Sequence, residues 1–184
     1  MELNLILFHS LSSVSVCAHN TQRDKAMSWQ KRAARDIKEL NDAGLAVRAD
    51  SGEELDMRCF RVDLKGPEGT PYEGFVWALR FTLPEQFPFR SPSIGFVERI
   101  LHPNVDEASG SVCLDSLNKG WSASFTLRHI TEDLLPYLLR YPNPADPLNR
   151  EAAVLLTSVP LPQYEAQVKA HAKRHARPLE THKT

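Results

Sequence analysis

At 184 residues the chain can bury one good core, and its 22 basic against 23 acidic residues leave a net charge of −1. That balance excludes a protein drawn as a whole to nucleic acid or to an anionic membrane, so any charged partner must meet a local patch. Three cysteines, Cys17, Cys59 and Cys113, are odd in number, widely spaced and form no CxxC; neither a disulfide framework nor a metal site is expected, and a reducing compartment, cytoplasmic or nuclear, is.

The opening MELNLILFHSLSSVSVCAH has an apolar run without the positive flank of a secretory signal, broken by Asn4 and His9 and too short to span a membrane. Met27 begins MSWQKRAARDIKEL, which reads as a fresh start. The expected organisation is therefore an extension over 1–26, disordered or non-native, a core over 27–176 and a short tail over 177–184.

From Ser28 the spacing predicts a helix with Trp29, Ala33, Ile37 and Leu40 inward and Lys31, Arg35 and Lys38 outward, Arg32 beside them, ended by Gly44. CFRVDLK and FVWALRFTL alternate as strands of a hairpin around GPEGTPYEG, and Pro84, Pro88 and Pro92 bracket a loop before a short strand through Ile94 and Phe96. TLRHITEDLLPYLLR has helical spacing with Thr126 as N-cap, and Pro136 inside it predicts a bend or an early end. NREAAVLLT follows as a short helix, and PQYEAQVKAHAKRHA as an amphipathic helix with Tyr164, Val168 and Ala172 on one face. Helix, antiparallel strands, then helices is an α+β order.

The chemistry converges on HPNVDEASGSVCLD, where Cys113 follows a turn-rich loop and precedes Asp115. Three roles compete. The thiol is a buried structural cysteine; or a protease nucleophile, which needs a histidine such as His102 or His129, neither with a protease signature; or a thioester carrier. A carrier needs no strong base, because thioester exchange is nearly balanced and a thiol of pKa ~8.5 is already partly ionised. Its neighbours serve the later attack by an amine: a neutral donor for the oxyanion and a carboxylate for the ammonium proton, for which Asn104, Asp115 and Asp146 are the right types.

His102-Pro103-Asn104, then Gly110-Ser111-Val112-Cys113-Leu114-Asp115, then Trp121, resembles the catalytic segment of ubiquitin-conjugating enzymes. PYEGFVWALRFTLPEQFPFRSPSIGF is similar to that family's central meander and YPNPADPLN to the segment after its crossover helix; DEASGSVCLD and YPNPADPLN are closest to the H type, which serves the ligase called GID in yeast and CTLH in animals.

The resemblance implies a fold with an N-terminal helix, a four-stranded antiparallel meander and C-terminal helices. It implies that Cys113 accepts ubiquitin, that Asn104 stabilises the oxyanion or holds the active-site loop, that Asp146 positions or deprotonates the incoming lysine with Asp115 beside the same cleft, and that His102 is scaffold. Lys31, Arg32, Arg35 and Lys38 match the surface docked by the activating enzyme; Phe89 matches the ligase anchor, and Ser122, Ala123 and Ser124 a second ligase loop that usually reads Trp-Ser-Pro-Ala and here lacks the proline.

Asp133 stands where relatives place an apolar residue against the donor ubiquitin, and KAHAKRHARPLETHKT replaces the acidic tail of the H type. The implied partners are ubiquitin, its activating enzyme and a ligase, with no cofactor, no metal, no nucleic acid, no membrane, and a monomeric chain. Rival readings are a conjugating enzyme for a ubiquitin-like modifier, a non-catalytic ubiquitin-binding scaffold and, last, a cysteine protease.

Overall fold

The computed structural model describes residues 29–52, 54–112 and 121–180. Helix α1 covers 29–42, buries Trp29, Ala33, Ile37 and Leu40, and stops at Gly44. There φ is +77°, a conformation that favours glycine, while the Leu45 amide donates back to the Leu40 carbonyl at 2.9 Å.

The sheet follows as an antiparallel meander of β1 (Val47–Ala49), β2 (Cys59–Lys65), β3 (Phe75–Thr82) and β4 (Ser93–Phe96). Cys59 pairs with Thr82 and Lys65 with Val76, so the hairpin register puts Phe60, Val62 and Leu64 on the face that carries Trp77, Leu79 and Phe81. All six are buried beneath the helices, and each side chain of this size stabilises the core by ~1.5–3 kcal/mol. Two short strands extend the meander: β5 (Ser111–Val112) pairs with β4, and β6 (Arg177–Pro178) pairs with Phe75 and Val76 of β3.

Arg177, assigned from sequence to a short tail, is thus part of the sheet. Its guanidinium pairs with Asp63 at 2.5 Å and with Glu98 at 3.3 Å. Val76 and Ala78, on the outward side of β3, are buried there as well, which strand alternation alone does not predict.

Helix α2 spans 127–140, with the Thr126 hydroxyl accepting from the His129 amide at 3.1 Å as the expected N-cap. Pro136 does not end it, because the helical segment continues through Arg140. A π turn over Ile130–Leu134 passes the Leu135 amide to the Ile130 carbonyl, and the α segment restarts as Leu135–Arg140. Pro136 therefore sits in a first helical turn, where its missing N–H leaves no carbonyl of that segment unpaired. Helix α3 (Arg150–Ser158) is capped by Asn149, whose side-chain oxygen accepts from the Ala152 amide at 2.9 Å. Helix α4 (Leu161–His175) buries Tyr164, Val168 and Ala172.

No helix among the described residues is long and apolar enough to cross a membrane. Nor do the described residues group three or more histidine, cysteine or acidic side chains in a way that could hold a metal ion.

Candidate active site

The segment that leads from β4 toward Cys113 is fixed at its start by His102, which is fully buried. Its Nδ1 accepts from the Asn104 amide at 3.0 Å, so Nε2 carries the proton and donates to the Leu138 carbonyl of α2 at 3.1 Å. Burial pushes the imidazole pKa down to about 4 against the opposing pull of that carbonyl. A neutral ring with both nitrogens occupied is a scaffold and not a base.

Asn104 is also fully buried. Its Nδ2 donates to the Asn143 carbonyl at 2.8 Å and to the Asp146 carbonyl at 3.2 Å, and its Oδ1 accepts from the Asn143 amide at 2.8 Å. The neighbouring Pro103 carbonyl accepts from the Leu148 and Asn149 amides, both at 2.8 Å. The loop after α2 is therefore tied to this segment from one end to the other. Asp146 is exposed, and its carboxylate accepts no hydrogen bond among the described residues; only its backbone serves the turn.

Between Asn104 and β5 the chain doubles back, with Val105 bridging Val112. Asp106 Oδ1 accepts from the Ser109 hydroxyl at 2.6 Å and from its amide at 2.8 Å, which holds the Asp106 carboxyl below the usual range. Gly110 has φ +71°, and a Cβ there would meet the Phe96 carbonyl oxygen at 2.1 Å. The SG in DEASGSV is thus a turn requirement. Val112 is buried against this frame, and Cys113 comes next in the chain. Cys113 and Asp115 both lie outside the described residues.

The charged stripe on α1 divides. Lys31, Arg35 and Lys38 are exposed, with Arg35 pairing with Glu39 at 3.5 Å and Lys38 with Asp42. Arg32 departs from the expectation. Its side chain is 13% exposed, and it donates to Asp36, to the Ala123 carbonyl at 2.7 Å and to the Phe125 carbonyl at 2.6 Å, which removes it from the surface available to an activating enzyme.

Phe89 projects into solvent, 82% exposed, from a loop whose Phe87 is buried. Ser122, Ala123 and Ser124 lie beside it: Trp121 Nε1 donates to the Pro88 carbonyl at 2.7 Å. His129 is bound to Asp133 at 2.8 Å on the outer side of α2. Sequence reasoning missed Asp36, a fully buried carboxylate, although its position four residues after Arg32 is a visible helix-pair signal.

Residues 29–172 match the family model described as ubiquitin-conjugating enzyme. The chain belongs to the ubiquitin-conjugating enzyme family. Among relatives, the Arabidopsis thaliana protein named ubiquitin-conjugating enzyme E2 5 is 51% identical over 122 residues, covering 66% of this chain and 65% of that protein. The Saccharomyces cerevisiae protein named ubiquitin-conjugating enzyme E2-24 kDa is 49% identical over 121 residues, 65% of this chain and 55% of its own. The match spans about two thirds or less of the length of these curated relatives.

Among solved structures, the E2 domain of a Toxoplasma gondii ubiquitin-conjugating enzyme superposes with a TM-score of 0.71 at 29% identity, over 80% of this chain and 99% of that domain. The fold of this conjugating-enzyme family member is that of its relatives.

Proposed function

We propose that this chain accepts ubiquitin on Cys113 and passes it to substrate lysines with a ubiquitin ligase. The Cys113 thiolate attacks the thioester carbonyl on the activating enzyme, the new C–S bond forms, and that enzyme's cysteine leaves as thiolate. In the second step a lysine amine attacks the Cys113 thioester. The tetrahedral oxyanion collapses to an isopeptide bond, Cys113 departs as thiolate, and the ammonium proton passes to a carboxylate.

The observation that carries the reading is the buried Asn104, whose amide ties the segment leading to Cys113 to the loop bearing Asp146. Within that reading Asn104 holds the loop, and the exposed Asp146 carboxylate, free of any partner among the described residues, orients or deprotonates the lysine, with Asp115 assisting. Lys31, Arg35 and Lys38 receive the activating enzyme. Phe89 and the Ser122–Ser124 loop receive the ligase, of the GID/CTLH type to judge from DEASGSVCLD and YPNPADPLN. The protein works as a monomer in the cytoplasm or nucleus.

The test is loading with ATP, activating enzyme and either ubiquitin or a related modifier, each with its own activating enzyme, on paired non-reducing and reducing gels. Ubiquitin gives a thiol-sensitive heavier band that Cys113→Ala lacks. A band with another modifier alone moves the assignment to that modifier, and no band with any of them removes the enzyme reading.

A further inference from the structure

The ligase-facing loop over 121–125 contains no proline, so no residue in it has a φ fixed by its own ring. Its serine hydroxyls bond one another at 2.8 Å and cannot anchor it to the body of the protein. Two side chains anchor it instead: Trp121 at its start, whose Nε1 donates to the Pro88 carbonyl at 2.7 Å, and an arginine from α1. Arg32 Nη1 and Nη2 reach the Ala123 and Phe125 carbonyls at 2.7 and 2.6 Å, while Nε is held by the buried Asp36 at 2.8 Å. The same guanidinium lies over the Phe87 ring at 5.4 Å, two residues before the exposed Phe89. One fork therefore touches both ligase-facing loops, and all three of its nitrogens are used.

We propose that Arg32, oriented by Asp36, is a positioning residue for ligase engagement: it sets the backbone of the Ser122–Ser124 loop against the Phe87–Phe89 loop. This rests on the ligase-dependent reading above. A guanidinium is required, because three fixed donor directions must meet a carboxylate and two carbonyls at once; a lysine ammonium keeps the charge but cannot span them. Asp36 is required because an arginine free of a buried partner would turn to solvent. Removing Arg32 alone leaves the buried Asp36 carboxylate with only the longer 3.3 Å pairing to the exposed Arg35, so the informative variant removes both buried charges, Arg32→Met with Asp36→Leu, which restores an apolar contact.

The experiment preloads each protein with ubiquitin and follows single-turnover discharge to free lysine, without ligase and with increasing amounts of the RING subunits of a GID/CTLH ligase. In parallel, amide hydrogen exchange is followed across 122–125 and along α2. The double variant and Arg32→Lys are expected to raise the half-saturating ligase concentration by about tenfold or more, the loss of one good anchor. Ligase-free discharge and the rate at saturating ligase stay within about twofold. Amides of 122–125 exchange faster while those of α2 do not change.

An unmoved half-saturating concentration in a variant whose wild-type parent is stimulated overturns the proposal alone. A wild-type protein that loads yet gains nothing from the ligase overturns the ligase reading beneath it. Faster exchange throughout, with ligase-free discharge falling in step, marks Arg32 as a core residue only.

Discussion

His102 and Asn104 act as a pair of buried polar residues that exchange solvent for backbone partners. A buried amide left with one lost partner costs about 1–3 kcal/mol, so neither tolerates truncation without consequence for the loop each holds. Asn104→Ala is expected to form the thioester normally and to discharge to lysine at least about tenfold more slowly, with faster exchange of the Asn143 and Asp146 region; discharge at the wild-type rate would remove Asn104 from the second step.

His102 makes a separate prediction. Its folded pKa of about 4 lies below the unfolded value of 6.5, so the unfolded chain binds more protons between them. Stability from this group is complete above pH 6.5 and falls as pH drops toward 4, by about 3 kcal/mol in all. Urea denaturation across that window should show the decline in wild type and a flatter profile in His102→Gln.

The elements differ in how far their sequence dictates them. Trp29, Ala33, Ile37 and Leu40 on α1, and Tyr164, Val168 and Ala172 on α4, lie at helical spacing and are buried where that spacing puts them. Phe60, Val62 and Leu64 do the same for β2. Pro136 was not legible, because periodicity assumes one hydrogen-bond pattern throughout and the π turn at Ile130–Leu134 changes it.

Because Pro136 falls in the first turn after the π segment, Pro136→Ala is expected to change the free energy of unfolding by less than about 1 kcal/mol, checked by urea denaturation. A proline straining an unbroken helix would return ~3 kcal/mol on removal. Gly110→Ala should cost more than about 1 kcal/mol in thermal or urea denaturation, since it meets both an unfavourable φ and the Phe96 carbonyl; near-neutral behaviour would mean the turn before β5 can move.

For the molecule as a whole, segments distant in sequence complete what local pattern begins. β6 brings Arg177 to Asp63 and Glu98, and neither partner is predictable from a basic, histidine-rich tail read alone. Deleting 177–184 should lower stability by about 1–2 kcal/mol, a few degrees in Tm, with thioester formation kept. The candidate site shows the same division. HPN and the glycine turn were legible as residue types with a chemical purpose, whereas the tie from Asn104 to a loop some forty residues onward exists only once α2 has crossed the molecule.

In the proposed mechanism one thiol, Cys113, carries the acyl group and no histidine is needed to activate it. Intact-mass and peptide-level mass spectrometry of the protein charged with ubiquitin tests this mechanism most directly, comparing wild type with Cys17→Ala, Cys59→Ala and Cys113→Ala. A single ubiquitin adduct joined at Cys113 is expected, present in the first two variants and absent from the third. An adduct that persists in Cys113→Ala, or that maps to another cysteine, contradicts it.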